Sequence, residues 1–524
     1  MRYLDKIFNL RNTLPTRNSA GGYVWPVDSW KQLERFLILG CENGTYYVTE
    51  TAFTVENAQA VQECLKADGP RVVNAVVDIS ASGRAAKSDP ALFVLAMAAS
   101  PAFADARTNA EALSALALVA RTGSHLCTFA CMVDGLRGWG RGLRSAVADW
   151  YLNKPVNELA HQMLKYPTWA GWSHRDLLRA SHPKAGSPEQ NALFRWAVDS
   201  EIGNLAPDEL RQVHGLEQAK RAMSETEIVR LIEDYRLTHE MIPSQWKESA
   251  GVWEALLPDL SYKALVRHLG KMTALGVIAP FSEASAIAVA RLIDRRRIER
   301  ARIHPIALLG ALLAYRKGCE ERGNLRWAPV SPIVDALEES FYLAFANVSA
   351  TGQRIYLAID ASSSMQNSIC QGLPFVSAAM GAAAMAMLFA RTESNYMISA
   401  FHDRIWPVDI SRKDRLDRAC AAIAHEPRAA DGSLPFKDAL ERGLEVDAFV
   451  LLTDSKTWAG DTHPVQAFER YRQESGIGSK LVVIAMTGNG CSMADANDAL
   501  QMEVVGFDAG VPGVVAGFIV MQAS

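Results

Sequence analysis

The sequence has few of the features that mark secreted, membrane-spanning or disulfide-stabilised proteins. Residues 1–12 lack the continuous apolar core of a signal peptide, and the Ala-rich stretch near Val376–Ala390 is too short to span a bilayer. The eight cysteines are scattered through 524 residues and include no Cys-x-x-Cys pair, which excludes a disulfide framework like that of small secreted domains. We therefore expect a cytoplasmic protein with no membrane partner.

The sequence also lacks the common motifs of catalysis. It contains no nucleophile elbow, no P-loop and no paired-histidine metal site. Cys127 and Cys131 are one helical turn apart, but without further ligands nearby we interpret them as small hydrophobic side chains rather than zinc ligands. We expect a protein that is not an enzyme.

Net charge is small, but its distribution divides the chain. The whole sequence carries 54 Lys and Arg residues against 58 Asp and Glu residues, a net charge of −4. Residues 351–524 hold 14 basic and 20 acidic residues, a net of −6, which leaves 40 against 38, a net of +2, for residues 1–350. The first part is therefore the better candidate for binding a polyanion, through a local patch.

Residues 1–350 have the pattern of successive amphipathic helices. An S-x-x-E capping box opens residues 224–242, and apolar side chains then follow at helical spacing. Two further segments, Ser261–Leu269 and Ser282–Ile293, repeat this pattern. Many such helices with short loops and no exact sequence period predict a solenoid of helix pairs, which curves and could close into a ring.

After residue 351 the pattern changes to short apolar runs that alternate with helix-like stretches. This alternation predicts a doubly wound α/β domain with a parallel sheet buried on both faces, in which ligands bind at the carboxyl ends of the strands. We therefore place a domain boundary between residues 350 and 351. The predicted strands lie within residues 354–360, 395–401, 448–454 and 480–486.

A candidate metal site lies at the carboxyl end of the first of these strands. Residues 360–364, Asp-Ala-Ser-Ser-Ser, match D-x-S-x-S, the metal-ion-dependent adhesion site of von Willebrand factor A domains. Such a cluster is more often a turn or helix cap, but its position after a buried strand favours hard oxygen ligands for Mg²⁺. A second acid, Asp454, ends another strand at the same edge. We predict ligands at Asp360, Ser362, Ser364 and Asp454.

A fifth ligand is in question. Where the related motif has a threonine, this chain has Ala430, so one oxygen is missing unless Asp431 or Ser433 replaces it after a small loop shift. An added water could also complete the coordination of Mg²⁺ or another divalent cation. We include Asp431 in the predicted ligand set.

Long blocks in both parts resemble the Ro autoantigen family, in which a TROVE domain is followed by a von Willebrand factor A-like domain. The similarity is collinear and covers nearly the whole chain. The blocks are residues 22–25, 35–48, 139–151, 171–184, 269–277, 302–305, 453–464, 485–490 and 494–510.

The resemblance implies a fold and a function. The TROVE domain would be a ring of HEAT-like helical repeats in residues 1–350, closed by the A-type domain in residues 351–524. Members bind small noncoding Y RNA on the outer basic surface and thread single-stranded ends of misfolded RNA through the central hole. Bacterial relatives take part in RNA processing or decay, in some cases with a ribonuclease tethered by a Y-like RNA, and members are not known as catalysts.

Candidate RNA ligands follow from the residues and from the resemblance. Arg141 and Arg144 lie three positions apart on one helical face, although arginines at this spacing are often solvated or ion-paired. Residues 171–184 mix cations with imidazoles around an apolar pair. From this block and nearby we take, as further candidates, Arg175, Lys184, His182 and Lys165, of which the last two match positions that the family uses for Y RNA.

One departure changes the chemistry of this surface. Four residues after Lys165, where the family often has a basic residue, this chain has Trp169, whose indole could stack on an unpaired base. His182, before Pro183, has an alternative role as a core or capping residue. Lys271 is a candidate for lining a cavity, and the basic run Arg291–Arg302 could form either a cavity lining or a solvated rim.

Two other functions remain open at the level of sequence. The A-type domain could be chiefly a Mg²⁺-dependent module that captures an acidic protein partner at Asp360. A metal-dependent nuclease that uses Asp360 and Asp454 is also conceivable, although ring-forming repeats are more often scaffolds.

Overall fold

The structure is a computed structural model of the chain. It describes residues 16–17, 23–24, 28–42, 45–48, 53–82, 85, 87–200, 210–320, 323–454, 459–488, 493–495 and 497–521.

The first part of the chain is helical, as predicted. Consecutive α-helices pack against one another in sequence order, and four short 3₁₀ helices connect some of them: His239–Met241, Ser244–Trp246, Leu257–Asp259 and Ala344–Asn347. The α-helices are Ser29–Leu39, Gln59–Ser82, Asp89–Ala98, Ala106–Ser114, Leu116–Val119, Gly123–Leu136, Arg141–Leu152, Val156–Lys165, His174–Ser181, Pro188–Asp199, Arg211–Ala219, Glu225–Tyr235, Ala250–Leu256, Tyr262–Ala274, Glu283–Leu292, Arg295–Ala301, Pro305–Lys317 and Ser331–Leu343.

Serine caps begin the predicted helices. The hydroxyls of Ser224, Ser261 and Ser282 each accept a hydrogen bond from the backbone N–H three residues later. One detail of the predicted capping box is wrong, because the Glu227 carboxylate accepts from the N–H of Met223 rather than from that of Ser224. A serine alone can satisfy a free N–H of the first turn, so the helix still begins where predicted.

The second part of the chain is an α/β domain with a seven-stranded sheet. Its strand order is β3-β11-β10-β9-β6-β7-β8, and every neighbouring pair is parallel except β7 and β8. The strands are β3 Thr45–Tyr47, β6 Ile355–Asp360, β7 Tyr396–Phe401, β8 Ile405–Pro407, β9 Ala448–Thr453, β10 Lys480–Ala485 and β11 Gln501–Val505. Its helices are Ser364–Asn367, Ala378–Thr392, Leu416–Ala422, Leu434–Glu441, Pro464–Ser475 and Val511–Val520.

Alternate side chains of the central strands enter two different cores. Tyr356 and Ala358 point to the core beneath the helices Leu434–Glu441 and Pro464–Ser475. Leu357 and Ile359 point to the other face, where the core is continuous with that of the helical part. The sheet is therefore buried on both faces, as the apolar runs predicted.

One strand of this sheet comes from the beginning of the chain. β3 pairs in parallel with β11, and the helix before it, Ser29–Leu39, packs against Val511–Val520. Buried Arg35 in that helix donates to the backbone carbonyls of Asp498 and Gln501, the latter at 3.1 Å. The start of the helical region is thus joined to the α/β domain through backbone pairing and a buried guanidinium.

The end of the helical region meets the same domain at another face. The hydroxyl of Tyr342 accepts from the N–H of Leu416 at 3.0 Å, and Arg415 pairs with Glu338. The Arg391 guanidinium lies over the rings of Tyr342 and Phe345. Both ends of the helical region therefore contact the α/β domain, and the chain forms the closed circuit that was predicted.

Two further strand pairs lie outside the main sheet. The strands β1 Thr16–Arg17 and β2 Tyr23–Val24 pair near the N-terminus, and the strands β4 Thr168–Trp169 and β5 Trp172–Ser173 form a hairpin between two helices. In the part of the chain that the structure describes, none of the helices has the length and apolar character that crossing a bilayer requires.

Candidate nucleic-acid interface and metal site

A tight hairpin presents the predicted indole to solvent. Trp169 pairs with Trp172 across a two-residue turn, and both turn residues have positive φ, 49° at Ala170 and 80° at Gly171. Two left-handed residues make a type I′ turn, which matches the twist of a hairpin. Trp169 is 52% exposed, which is unusual for so large an apolar side chain.

The second tryptophan fixes the hairpin to the body of the protein. Trp172 packs on Trp139 with ring centroids 5.1 Å apart, and the Trp139 Nε1 donates to Asp134 at 3.0 Å. Both strands of the hairpin also contact the helix Gly123–Leu136. Trp172 therefore fixes the hairpin to the protein, whereas the indole of Trp169 is exposed to solvent.

The helix after the hairpin begins with a capping box. The Ser173 hydroxyl accepts from the N–H of Asp176, and the Asp176 carboxylate accepts from the Ser173 N–H at 3.0 Å. This carboxylate, which lies among the predicted cations, is committed to the backbone and does not neutralise Arg175 in an ion pair.

The predicted cations of this region are exposed. Arg141 and Arg144 lie in the first turn of Arg141–Leu152, and Lys165 ends its helix with the ammonium 5.5 Å from the Tyr166 ring centroid. Within the described residues, no carboxylate lies within 4 Å of any of the six predicted side chains. They are Arg141, Arg144, Lys165, Arg175, His182 and Lys184.

His182 caps a helix with its backbone and exposes its side chain. It ends the helix His174–Ser181 in the left-handed conformation, with φ 49°, and its N–H donates to the carbonyl of Leu178. Its side chain is nevertheless exposed. The other imidazole of this block, His174, is buried and contacts the Tyr151 hydroxyl through Nδ1 at 2.7 Å. Burial lowers the pKa of His174 to about 4, so it is a neutral core residue at physiological pH.

Lys271 lies apart from this surface, in an ion pair. It lines a cavity of about 620 Å³ between the helices Tyr262–Ala274 and Pro305–Lys317 and the loop at Leu373. Its ammonium is paired with the Glu248 carboxylate. The positive charge on which the predicted RNA contact depended is therefore partly compensated.

The basic run Arg291–Arg302 divides into a buried and an exposed part. Arg291 is 7% exposed, and its guanidinium donates to the carbonyls of Leu257, Pro258 and Leu260. The remaining arginines are exposed, and among them Arg297 pairs with Asp294 at 3.3 Å. Arg291 thus satisfies carbonyls at the end of a 3₁₀ helix, and the remaining arginines are accessible to solvent.

The structure brings four of the five predicted metal ligands together. The Asp360 carboxylate is fully buried and accepts from the N–H of Ser362 at 2.8 Å. The Ser362 and Ser364 hydroxyls are 3.0 Å apart, and Ser364 donates to Asp454 at 3.0 Å. The carboxyl ends of β6 and β9 hold the two acids at one edge, as the topology predicted.

Two hydroxyls that we did not predict complete this network. Ser368 donates to the second oxygen of Asp454 at 2.5 Å, and Thr453 donates to the second oxygen of Asp360 at 2.7 Å. The signal for Thr453 was its place beside Asp454 at a strand end. Ser368 carried no such signal, because the one-turn helix Ser364–Asn367 sets its position.

Asp431 makes its contacts elsewhere. It accepts from the N–H and the hydroxyl of Ser433, at 2.9 and 2.6 Å, and its carboxylate faces Gly460. Among the described residues, no three His, Cys, Asp or Glu side chains lie close enough to hold a metal ion. Buried Ala430 contributes no oxygen at the adjacent position.

The two clustered acids repel each other. Burial raises the pKa of Asp360, and the charge of Asp454 raises it further, while hydrogen bonds from Ser362 and Thr453 oppose the shift. A cation beside both carboxylates would relieve this repulsion. The donor set of two carboxylates and two hydroxyls fits a hard divalent cation.

Comparison with known proteins gives similarity along nearly the whole chain. The TROVE domain model matches residues 16–228 and 230–314, and the Ro60 vWA domain model matches residues 354–519. The chain is 37% identical to the RNA-binding protein RO60 of Deinococcus radiodurans, over 96% of this chain and 94% of the relative. It is 31% identical to the RNA-binding protein RO60 of Caenorhabditis elegans, over 96% of this chain and 89% of the relative.

A solved structure has the same architecture. The crystal structure of the Deinococcus radiodurans RO (RSR) protein superposes with a TM-score of 0.88 at 36% identity, and covers 94% of this chain and 99% of that chain. The agreement extends over both the helical region and the α/β domain.

Proposed function

The chain belongs to the Ro60 family of TROVE-domain proteins, and from this premise we propose that it is an RNA-binding scaffold for small structured noncoding RNA. The ligand would be a Y-like RNA, with single-stranded ends of misfolded RNA as a second class. Its place would be RNA quality control, processing or decay in the cytoplasm, and the bound RNA could tether a ribonuclease or another RNA-processing enzyme.

One observation supports this proposal most directly. Exposed cations surround the hairpin of Trp169, and the nearest acid in sequence, Asp176, is committed to a helix cap. Guanidinium and ammonium groups without carboxylate partners remain available to phosphates, and guanidinium groups bind phosphates bidentately. No contact in the described residues favours the alternative of a module for acidic proteins.

The test combines recovery of RNA with a double substitution. RNA that co-purifies with the protein is sequenced, and its affinity is measured for the wild type and for Lys165→Ala with His182→Ala. We expect the double variant to lose at least tenfold in affinity at physiological salt, with an unchanged melting temperature, because both side chains are exposed. Lys413→Ala, which removes an exposed charge from the A-type domain, is the matched control. Equal affinity of the double variant and the wild type would refute this site.

We also propose that the protein does not cleave RNA. The residues with perturbed pKa values near the strand ends, above all Asp360, are tied into hydrogen bonds with hydroxyls. Incubation with Mg²⁺ and single-stranded RNA should leave the RNA intact. Cleavage that disappears in Asp454→Asn would contradict this view.

A second proposal concerns the cation. Asp360, Ser362, Ser364 and Asp454 would hold Mg²⁺, with waters in place of the missing threonine oxygen. Saturating Mg²⁺ should then raise the melting temperature by a few degrees, because a ligand that binds only the folded state stabilises it.

The control for this shift is available in the same loop region. Asp454→Asn should abolish the Mg²⁺-dependent shift, whereas Asp431→Asn should keep it, because Asp431 bonds within its own turn. If the shift instead survives Asp454→Asn, or is lost in Asp431→Asn, the four-ligand set is wrong.

A further inference from the structure

An exposed indole on a tight hairpin distinguishes the surface around Lys165 and Arg175. Trp169 is 52% exposed, at a place where the chain has no need of a large apolar side chain for packing. The other large rings of the hairpin region, Trp172 and Trp139, pack on each other. Single exposed apolar side chains are common on protein surfaces, but Trp169 combines an exposed aromatic face with exposed cations nearby in the chain, and a flat, negatively charged ligand could use both features.

The backbone of the hairpin fixes the position from which the Trp169 side chain projects. The type I′ turn leaves no loop residues to fluctuate, because Ala170 and Gly171 are the only residues between the paired strands. The hairpin is anchored on one side by Trp172 and on another by the helix Gly123–Leu136. Because this backbone is ordered in advance and an indole has only two side-chain torsions, little conformational entropy is lost when a flat ligand stacks on Trp169.

The charges around the ring select the kind of ligand. Lys165 lies four residues before Trp169, within about 14 Å even for an extended chain. Arg175 lies on the first turn of the helix that follows the hairpin. An aliphatic or uncharged protein partner would leave these cations without a counterpart, whereas a nucleotide offers a flat base together with a phosphate.

Duplex RNA cannot use both features at once. Bases inside a continuous helix stack on one another, and their faces are closed to a side chain. A nucleotide in a loop, a bulge or a single-stranded end presents its face freely, and stacking on an aromatic side chain then adds to the phosphate contacts.

We propose that Trp169 is a stacking platform for one unpaired base, so that this surface selects RNA with an unpaired nucleotide beside the phosphates held by Lys165 and Arg175. The proposal rests on the proposed function, since it specifies which RNA that surface takes. It assigns Trp169 to specificity and the surrounding cations to affinity.

The experiment compares a fully paired RNA duplex with the same duplex carrying one additional, unpaired nucleotide in one strand. The two RNAs therefore differ by a single nucleotide and a single phosphate. Trp169→Ala should weaken binding of the bulged RNA about tenfold and leave binding of the duplex unchanged. Trp169→Phe should retain most of the affinity for the bulged RNA. Phe281→Ala removes another fully exposed ring, at a distant loop, and should change neither affinity.

A double-mutant cycle, with one change in the protein and one in the RNA, tests whether Trp169 contacts the unpaired base directly. Replacing the unpaired nucleotide by an abasic residue should weaken wild-type binding as much as Trp169→Ala does, and should have no further effect in that variant. With 5-bromouridine at the unpaired position, ultraviolet light should crosslink the RNA to Trp169.

The outcomes separate this inference from the proposed function. If Trp169→Ala binds the bulged RNA as tightly as the wild type, or weakens duplex binding equally, the stacking platform is refuted while RNA binding stands. If the wild type binds neither RNA, the proposed function itself fails.

Discussion

His174 is a buried residue that begins the helix after the Trp169 hairpin. It is the first residue of the helix His174–Ser181, is 3% exposed, and contacts the Tyr151 hydroxyl. Its ring is too deeply buried to accept a proton near neutral pH, and its pKa is lowered to about 4. At acidic pH the His174 imidazole is therefore protonated in the unfolded chain but not in the folded one, which lowers the free energy of unfolding.

This burial predicts a pH dependence of stability. The unfolded imidazole binds a proton below about pH 6.5, and the folded one only below about 4, so stability falls as the pH drops through this window. The contribution of His174 is on the order of ~3 kcal/mol over the whole window. We expect the melting temperature of His174→Gln to fall less than that of the wild type between pH 6.5 and 4.5.

The comparison has an internal control. Trp169→Ala changes an exposed side chain of the same region that does not titrate, and it should keep the wild-type pH dependence. Identical pH dependence in His174→Gln and the wild type would show that the buried ring does not resist protonation.

At the residue scale, the chemical role of a side chain was easier to predict than its ion-pair or hydrogen-bond partner. Asp360, Ser362 and Asp454 could be found from a motif and from their positions at strand ends. The ion pair of Lys271 with Glu248 could not, because the partner lies on another element and no pattern in the sequence connects them. The same holds for Arg291, whose guanidinium turns inward to carbonyls of a neighbouring 3₁₀ helix.

At the scale of elements, the hairpin that carries Trp169 depends on its turn. A Cβ atom at Gly171 would meet no atom within 4 Å, so only the positive φ of 80° disfavours a side chain there. Ala170 also has positive φ, 49°, without the freedom of glycine. Gly171 therefore suits its left-handed conformation, whereas Ala170 is strained in it.

Opposite substitutions at the turn should have opposite effects. Gly171→Val should destabilise the hairpin by about 1 kcal/mol, since a β-branched residue disfavours positive φ. Ala170→Asn should stabilise it, because Asn-Gly is the preferred type I′ pair. Hydrogen exchange of the amides of Trp169 and Trp172 measures both changes. Equal protection in the two variants would mean that the packing of Trp172, and not the turn, holds the hairpin.

The long elements were predictable and the short ones were not. The buried strands β6, β7, β9 and β10 start and end within one residue of the predicted runs, because continuous apolar segments of that length fit a sheet covered on both faces. The two-residue strands of the Trp169 hairpin show no periodicity. The three-residue strand β3 pairs with residues more than 450 positions away, and no local pattern can indicate such a contact.

At the scale of the whole molecule, the two ends of the helical region are held together by the A-type domain. One junction consists of β3 beside β11 and of buried Arg35. The other consists of aromatic and charged contacts around Tyr342. The first junction joins a strand from the beginning of the chain to one from its end, so its substitution tests how the circuit is closed.

Arg35→Ala tests this junction. The substitution removes the guanidinium that donates to the carbonyls of Asp498 and Gln501, although the Asp498 carbonyl still accepts from the N–H of Gln501. Loss of a hydrogen bond from a charged donor costs about 1.5–3 kcal/mol. We expect a lower melting temperature and faster hydrogen exchange in residues 45–47, with unchanged exchange in β9. Lys66→Ala, an exposed charge on the next helix, is the control. Unchanged exchange in residues 45–47 would show that strand pairing alone closes the circuit.

The central claim is that exposed cations around the Trp169 hairpin bind RNA phosphates, and the salt dependence of affinity tests it most directly. The affinity of the co-purified RNA is measured from low to physiological salt for the wild type and for Lys165→Ala. The slope of log K against log[salt] should be smaller in the variant by about one, as expected for one lost phosphate contact. Superimposable lines for the two proteins would contradict it.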